Sequence, residues 1–312
     1  RRAGEGGVLT VACRDRQGSL LPAEKAPSGV LRFLYDCAAG RPALGLLSRP
    51  GGSRAVGRLM DSRASRCLIP LFLRKTGIDM TDYEKGPFPS FNAFFRRRLL
   101  PGARPVDPVP EHLISPCDGL LTVIPVEENA RLTIKGREYT LEHLLGSAAL
   151  AETYRGGTLF LLRLTVCHYH RYCYVADGTE GPRTRLPGRL YSVLPLAAEK
   201  RPVYRENIRE YSILHTAAFG PVLTMEVGAM MVGRIVSHAP GGAVCRGQEK
   251  GYFEFGGSSI LLGFAPGEIT PDADLLRNSR EGLETAVRQG ERIAVGAGKT
   301  VDKSRQAGYN KA

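Results

Sequence analysis

The hydrophobic positions between residues 31 and 100 recur at helical spacing. Apolar residues follow one another at steps of three and four between Gly and Pro breaks, and the series comprises Leu44, Leu47, Val56, Leu59, Met60, Leu68, Leu71 and Phe72. Ser90 has the side chain of a helix N-cap and predicts a further helix over residues 91–100. Phe91, Phe94 and Phe95 share one face of that helix, and such rings more often pack in a core than enter a membrane.

The pattern changes to strand-like after a proline-rich linker at residues 101–110. Short β-prone runs follow, separated by Gly- and Pro-rich turns, at residues 120–125, 131–134, 157–166, 189–193, 212–214, 221–227, 230–236 and 251–262. Short helices are predicted at residues 139–150 and 283–288. We therefore predict an α+β protein in which a helical region precedes a β-rich domain of sandwich or barrel type. The predicted bounds are a flexible tail at 1–28, a helical region at 29–105, a β-rich domain at 106–300 and a tail at 301–312.

Positive charge is concentrated in the helical region. The chain of 312 residues has a net charge of +12, and eight Lys or Arg residues but a single acid, Asp61, lie between Arg41 and Lys75. Two interpretations stay open: a solvated basic face, or a face that contacts an anionic membrane. Because no apolar run reaches the roughly 18 residues of a membrane span, we expect any membrane contact to be peripheral.

The seven cysteines are odd in number and widely spread, and no two of them form a Cys-x-x-Cys pair. This spacing argues against a disulfide framework and against a zinc ribbon. A reducing compartment fits this pattern best.

The strand-like run at residues 251–262 is interrupted by Gly256, Gly257, Ser258 and Ser259. Glycine adopts backbone angles that are closed to other residues, so this pair leaves the carbonyl group of Gly257 open to close approach. The hydroxyl group of Ser258 is the nearest nucleophile. A phosphate-binding loop is not indicated, because an apolar strand follows rather than a helix N-terminus.

Two further motifs carry candidate catalytic groups. Asp118 lies in a Ser-Pro-Cys-Asp-Gly turn, where its carboxylate either orients a histidine or simply forms the turn. His168 and His170 project on one face if their segment is extended, and such a pair binds metals, although no third or fourth ligand with familiar spacing accompanies it. An Asp, a His and Ser258 together have the composition of an activated-serine site. A serine hydrolase fits that composition, but no Gly-x-Ser-x-Gly turn opens a helix here.

These motifs together resemble those of the phosphatidylserine decarboxylases, over residues 31–295. The resemblance is carried by Ser-Pro-Cys-Asp-Gly at 115–119, Tyr-His-Arg at 169–171, Val-Gly-Ala at 227–229 with Val-Gly at 232–233, Glu-Lys-Gly-Tyr-Phe-Glu-Phe-Gly-Gly-Ser-Ser at 249–259, Asn-Ser at 278–279, Gly-Leu-Glu-Thr at 282–285 and Gly-Glu at 290–291. Ordered matches over so long a span are highly specific.

The resemblance implies a proenzyme that cuts itself between Gly257 and Ser258, which gives a β chain of residues 1–257 and an α chain of residues 258–312. Ser258 would become a pyruvoyl group, a covalent cofactor whose ketone takes the substrate amine and accepts electrons as CO₂ leaves. The family's Asp–His–Ser set maps onto Asp118, His170 and Ser258, and His170 is also the candidate acid. No metal is implied.

One departure from the family pattern concerns the histidine motif. Members of the family read Asp-Tyr-His-Arg-x-His, whereas this chain has His168 in place of the Asp and Cys173 in place of the second His. Either His170 serves both self-cleavage and protonation, or His168 or Cys173 shares the work as an auxiliary residue.

The implied substrate is phosphatidylserine, which would be converted to phosphatidylethanolamine. The basic helices would attach the enzyme peripherally to an anionic membrane surface, on its cytoplasmic face, and nucleic acid is not an expected partner. The α and β chains of one precursor would stay together. Two alternatives remain open: a serine or His-x-His metal-dependent hydrolase, and a basic lipid-binding module without catalytic activity.

Overall fold

The structure is a computed structural model that describes residues 12–22, 29–230, 234–238, 241–256 and 258–297. Residues 1–11 and 23–28 of the predicted N-terminal tail, the predicted C-terminal tail at 301–312, and Gly257 therefore lie outside the described residues. So do residues 231–233, 239–240 and 298–300. Within the described part, the helices are α1 Gly29–Asp36, α2 Gly40–Leu47, α3 Pro50–Asp61, a 3₁₀ helix Arg63–Cys67, α4 Leu68–Thr76, α5 Phe91–Phe95, α6 Leu141–Leu145, α7 Ala148–Thr153, α8 Pro195–Lys200, α9 Val203–Glu206 and α10 Ala273–Arg280. The helices predicted for the N-terminal part of the chain are present.

The strands follow the helical region and also precede it. They are β1 Cys13–Arg14, β2 Leu20–Leu21, β3 His112–Ile114, β4 Gly119–Pro125, β5 Arg131–Ile134, β6 Arg137–Thr140, β7 Thr158–Leu164, β8 Arg171–Cys173, β9 Gly178–Glu180, β10 Thr184–Leu186, β11 Arg209–Thr216, β12 Gly220–Val227, β13 Ile235–Ser237, β14 Gly242–Val244, β15 Glu249–Phe253, β16 Ser258–Phe264, β17 Ile269–Pro271, β18 Glu284–Val287 and β19 Arg292–Gly296. The mixed α+β class with a β-rich second half is confirmed.

Most of these strands form one large sheet. Its order, among the described residues, is β14-β9-β11-β12-β16-β7-β4-β18-β1-β2, with β10 paired to β11. Because the strands at its two ends do not pair with each other, the sheet is open, and the predicted barrel-like closure is wrong. Residues 13–21, which the sequence predicts to be part of a tail, instead add a hairpin beside β18.

The centre of the large sheet is buried on both faces. Along β16, Ile260, Leu262 and Phe264 belong to one apolar cluster and Leu261 belongs to another on the opposite face. Side chains alternate between the two faces of a strand. Burial of both faces therefore explains the uninterrupted apolar run of residues 260–262, which follows the two serines.

Several local predictions need correction. The helix predicted at residues 283–288 is instead the strand β18, and the helix lies just upstream as α10. Residues 189–193 form only an isolated bridge between Arg189 and Asn207. The predicted helix 139–150 divides into β6, α6 and α7. These segments are short, and tertiary pairing outweighs local propensity in such cases.

The aromatic helix α5 joins the helical region to the β-rich domain. Ser90 caps it, since its hydroxyl oxygen accepts a hydrogen bond from the backbone N–H of Ala93, but the helix ends at Phe95 rather than at residue 100. Phe91, Phe94 and Phe95 are buried in a cluster with residues of α3 and α4, so the prediction that these rings are core is confirmed.

The helices of the described residues are short, and the longest, α3, has 12 residues. None of the helices in that part of the chain is both long and apolar enough to cross a bilayer.

Candidate active site

Ser258 is the first residue of β16, and its side chain is fully buried. In the large sheet it lies opposite Leu164 of β7. Two residues earlier, Gly256 has a φ of +136°, a conformation that residues with a side chain rarely adopt. In its described part the predicted glycine interruption is thus bent at Gly256, between β15 of a small sheet and β16 of the large one, and we call this segment the glycine turn.

His170 faces the hydroxyl group of Ser258. Its Nδ1 lies 3.5 Å from Oγ of Ser258, and its Nε2 lies 2.9 Å from the carbonyl oxygen of Thr165. A carbonyl oxygen only accepts hydrogen bonds, so Nε2 carries the proton and Nδ1 presents its lone pair to the serine. A separation of 3.5 Å is long for a hydrogen bond, and contacts of this kind in resting sites commonly shorten as the reaction begins. The pair has the geometry of a serine with an adjacent base.

Burial also fixes the charge of His170. Desolvation, with a smaller contribution from the neighbouring His168, lowers the pKa of His170 to about 3. Loss of water disfavours the charged imidazolium, so the ring is neutral at pH 7. The neutral ring is the form that accepts a proton from Ser258, whereas an acid role would need the form that burial disfavours.

His168 does not share a strand face with His170. It lies in the turn between β7 and β8, so the segment is not extended there and the condition for a shared His-x-His face is not met. Its Nδ1 accepts a hydrogen bond from the backbone N–H of Thr165 at 3.0 Å. Burial lowers the pKa of His168 to about 4, and the charge of Asp118 opposes this shift. Thr165 therefore contacts both histidines and sets the orientation of each ring.

Asp118 is buried immediately before β4, and its hydrogen bonds go to residues other than the histidines. Its carboxylate accepts hydrogen bonds from Arg104 at 2.8, 3.0 and 3.2 Å and from the backbone N–H of Gln289 at 2.9 Å. Within the described part of the chain it makes no hydrogen bond to His170 or Ser258. The structure thus brings together two members of the predicted triad and holds the third in an ion pair.

Cys173 lies at the end of β8, also buried. Burial raises the pKa of its thiol to about 12, and the sulfur lies 3.9 Å from the carbonyl oxygen of Ser115. A thiol with this pKa stays protonated at pH 7 and therefore offers no basic group at this position.

Helix α5 contributes Phe95 to the site, a residue that the sequence pattern predicts only to be part of the core. The ring of Phe95 lies 4.2 Å from the ring of His170, centroid to centroid, at an interplanar angle of 32°. The ring of Phe255, just before the glycine turn, packs edge-on against Phe95 at 5.1 Å and Phe91 at 4.9 Å. The spacing of the aromatic residues in 91–95 indicates that their rings are buried together, but it does not indicate that Phe95 packs against His170.

A small cavity lies at the edge of the site. A cavity of about 190 Å³ is lined by Tyr169, Cys173 and Gln289, among others, and not by Ser258 or His170. Among the described residues, no group of three or more His, Cys, Asp or Glu side chains is placed to hold a metal ion. The serine–histidine pair is thus enclosed in this state of the chain.

The fold and the site together define an α+β protein in which the buried hydroxyl group of Ser258 lies 3.5 Å from Nδ1 of His170, beside a glycine turn. A family model described as phosphatidylserine decarboxylase matches residues 91–295. The phosphatidylserine decarboxylase proenzyme 2 of Clostridium acetobutylicum is 40% identical over 267 residues, which cover 85% of this chain and 91% of the relative. The phosphatidylserine decarboxylase proenzyme of Desulfitobacterium hafniense (strain DCB-2) is 38% identical over 288 residues, which cover 90% of this chain and 97% of the relative. That of Chlamydia felis is 38% identical over 269 residues, which cover 84% of this chain and 90% of the relative. The chain therefore belongs to the phosphatidylserine decarboxylase family.

Proposed function

We propose that this chain is a self-processing carboxy-lyase that converts phosphatidylserine to phosphatidylethanolamine and CO₂. The observation that carries the proposal is the contact of 3.5 Å between Oγ of Ser258 and Nδ1 of His170, at a glycine turn, in a chain of this family. Relatives that match most of the chain bear the name proenzyme, which supports a precursor that must be cut.

Self-cleavage would begin at Ser258. Nδ1 of His170 takes the hydroxyl proton, and Oγ attacks the carbonyl carbon of Gly257. The C–N bond then breaks, the amine of residue 258 takes the proton, and an ester joins the two residues. Loss of the α-hydrogen of residue 258 with departure of the Gly257 carboxylate, followed by reaction with water and release of ammonia, converts residue 258 into a pyruvoyl group.

The surroundings of Ser258 suit such a group. The residue is fully buried, it begins a strand held on both sides by β12 and β7, and its side chain faces an uncharged imidazole. Once formed, the pyruvoyl group would supply a sink for the electron pair that stays on an amine substrate when its carboxylate leaves as CO₂. The chain's own residues would fix its position and keep bulk water away from it.

The roles of the neighbouring residues follow from their charges and contacts. We assign His170 as the base of self-cleavage, because its neutral Nδ1 faces Ser258. Asp118 would act through its charge and its ion pair with Arg104 rather than through a hydrogen bond to His170. His168 would help to hold Thr165, and Cys173 would remain a neutral side chain of the pocket wall. Protonation of the product by His170 would need a rise in its pKa after cleavage.

The helical region would attach the enzyme to the lipid surface. Large apolar side chains are exposed on α2, α3 and α4, and these are Leu46, Leu47, Leu59, Leu68 and Leu71. All eight basic residues between Arg41 and Lys75 are exposed as well. Basic groups attract an anionic leaflet while apolar side chains insert shallowly, so we infer a peripheral membrane protein, and the attraction to acidic lipids favours the cytoplasmic face.

A direct test is to incubate the purified protein with phosphatidylserine vesicles and to measure CO₂ and phosphatidylethanolamine. The Ser258→Ala variant is the matched control, because it removes the reactive hydroxyl group and leaves the rest of the strand. We expect product from the wild-type protein and none from the variant. Equal product from both, or none from a wild-type protein shown to be cut, would overturn the proposal.

A further inference from the structure

Asn92 connects the helical region to the segment that leads into the glycine turn. Its side chain is 1% exposed and uses both ends of its amide. Oδ1 accepts a hydrogen bond from the backbone N–H of Phe255 at 3.3 Å. Nδ2 donates to the carbonyl oxygen of Gly57 at 3.3 Å and to Oδ1 of Asp61 at 3.0 Å, both in α3. One buried side chain therefore ties α3 to the segment before the turn.

The hydrogen bond between Asn92 and Phe255 lies close in sequence to the bond that self-cleavage would break. Phe255 directly precedes Gly256 and Gly257, and the bond to be cut follows the second glycine. Glycines have no side chain that packing could fix, so the orientation of their peptide groups depends on anchors outside the turn. The hydrogen bond from Asn92 and the packing of the Phe255 ring against Phe91 and Phe95 are such anchors.

Helix α5 also positions the base, since Phe95 lies against the ring of His170. The same five-residue helix thus holds both the base and the segment that carries the carbonyl group to be attacked. We propose that Asn92 is a positioning residue for self-cleavage, which sets the distance between the hydroxyl group of Ser258 and the carbonyl group of Gly257. This inference rests on the proposed self-processing function.

The size of the expected effect follows from the sensitivity of attack to geometry. A displacement of about 1 Å at a reacting pair lowers a rate by about 100-fold. The neighbouring rings would still hold Phe255 in part. We therefore expect Asn92→Ala to slow self-cleavage by about 10-fold or more, with the β-rich domain still folded.

The test follows the conversion of newly made chain into two fragments, by cell-free synthesis with a radiolabel pulse and a chase. Asn278→Ala is the matched control, because Asn278 is also 1% exposed and its Nδ2 donates to Oγ1 of Thr285 at 3.0 Å, away from Phe255. We expect slow cleavage in Asn92→Ala and a rate close to that of wild type in Asn278→Ala. Cleavage of Asn92→Ala at the wild-type rate overturns the inference.

An exchange of the side chains at positions 92 and 61 distinguishes a positioning role of Asn92 from a loss of folding. Asn92→Asp places a carboxylate beside that of Asp61, which would repel it and loosen the contact with Phe255. Adding Asp61→Asn restores a donor on α3 and leaves one oxygen of the new residue free to accept from Phe255, whereas the bond to the carbonyl oxygen of Gly57 is lost in both variants and does not affect their comparison. We expect the double variant to cleave at least about 3-fold faster than Asn92→Asp alone, within the range of one recovered hydrogen bond.

If the double variant is as slow as Asn92→Asp, the positioning role is rejected even where Asn92→Ala fails to fold. Failure of the wild-type chain to cleave in the same assay would instead reject the proposed function. The two failures are therefore distinguishable.

Discussion

Oγ of Ser258 lies 3.5 Å from Nδ1 of His170, and the other ring nitrogen of His170 is engaged by the carbonyl oxygen of Thr165. This arrangement fixes which nitrogen is free, and burial keeps that nitrogen unprotonated at pH 7. The hydroxyl group therefore faces an unprotonated ring nitrogen, which is the arrangement that the proposed self-cleavage requires.

The first prediction concerns His170. Replacement of His170 by Gln removes the free ring nitrogen, and a general base contributes about 10²- to 10⁴-fold to a rate. We expect His170→Gln to slow the appearance of two chains on a denaturing gel by at least about 100-fold. His143→Gln is the control, because His143 is exposed on α6. Wild-type cleavage in His170→Gln would show that another group is the base.

The second prediction ranks Asp118 below His170. Because Asp118 is bonded to Arg104 and Gln289 and not to the histidines, Asp118→Asn should slow cleavage much less than His170→Gln does. The same gel assay gives both rates. An equal loss in the two variants would mean that Asp118 acts directly on the base, in an arrangement that differs from this one.

The third prediction is a fall in stability at mildly acidic pH. His168 and His170 have pKa values lowered to about 4 and about 3, whereas an unfolded histidine has a pKa near 6.5. Between these values the unfolded chain binds protons that the folded chain does not, so the free energy of unfolding falls as the pH drops below about 6.5. Each histidine contributes up to about 1.4 kcal/mol per pH unit.

Urea unfolding of the uncut Ser258→Ala protein between pH 7 and pH 5 measures this slope. Adding His168→Asn should make it shallower, whereas His143→Asn, at an exposed position, should leave it unchanged. An identical slope in all three proteins would contradict the lowered pKa of His168.

The fourth prediction concerns the lipid surface. Leu59 and Leu71 are each 60% exposed on α3 and α4, and we expect the double change Leu59→Ser and Leu71→Ser to weaken co-sedimentation with phosphatidylserine vesicles by about 10-fold. Raising the salt from about 0.1 M to about 1 M shortens the screening length from about 10 Å to about 3 Å and should weaken binding as well. Leu20→Ser, at an exposed residue of β2, serves as the control. Binding that responds to neither change would place the lipid contact elsewhere.

The sequence allowed the serine–histidine pair to be predicted, because Ser258 and His170 lie in two motifs whose order along the chain is specific to the family. It did not allow the partner of Asp118 to be predicted, since Arg104 comes from the proline-rich linker and meets Asp118 only after folding. The contact of Phe95 with His170 depends in the same way on how α5 packs against the β-rich domain. Such contacts leave no periodic signal in the sequence.

The helices of the helical region could be predicted from apolar periodicity, because that pattern is strong over many turns. The error at β18 has a different origin. The strand β18 has only four residues, so its sequence carries little pattern. It forms because Thr285 and Ala286 pair with β4 on one side and Glu284 and Thr285 pair with β1 on the other. Local pattern does not report such pairing.

The most direct test of the account is the intact mass of the purified wild-type protein beside that of Ser258→Ala. The account predicts two wild-type fragments that separate between residues 257 and 258, the smaller with a blocked N-terminus that reacts with hydrazine, and one uncut chain for the variant. A single wild-type chain with no reactive carbonyl group, under conditions in which the protein is folded, would contradict it.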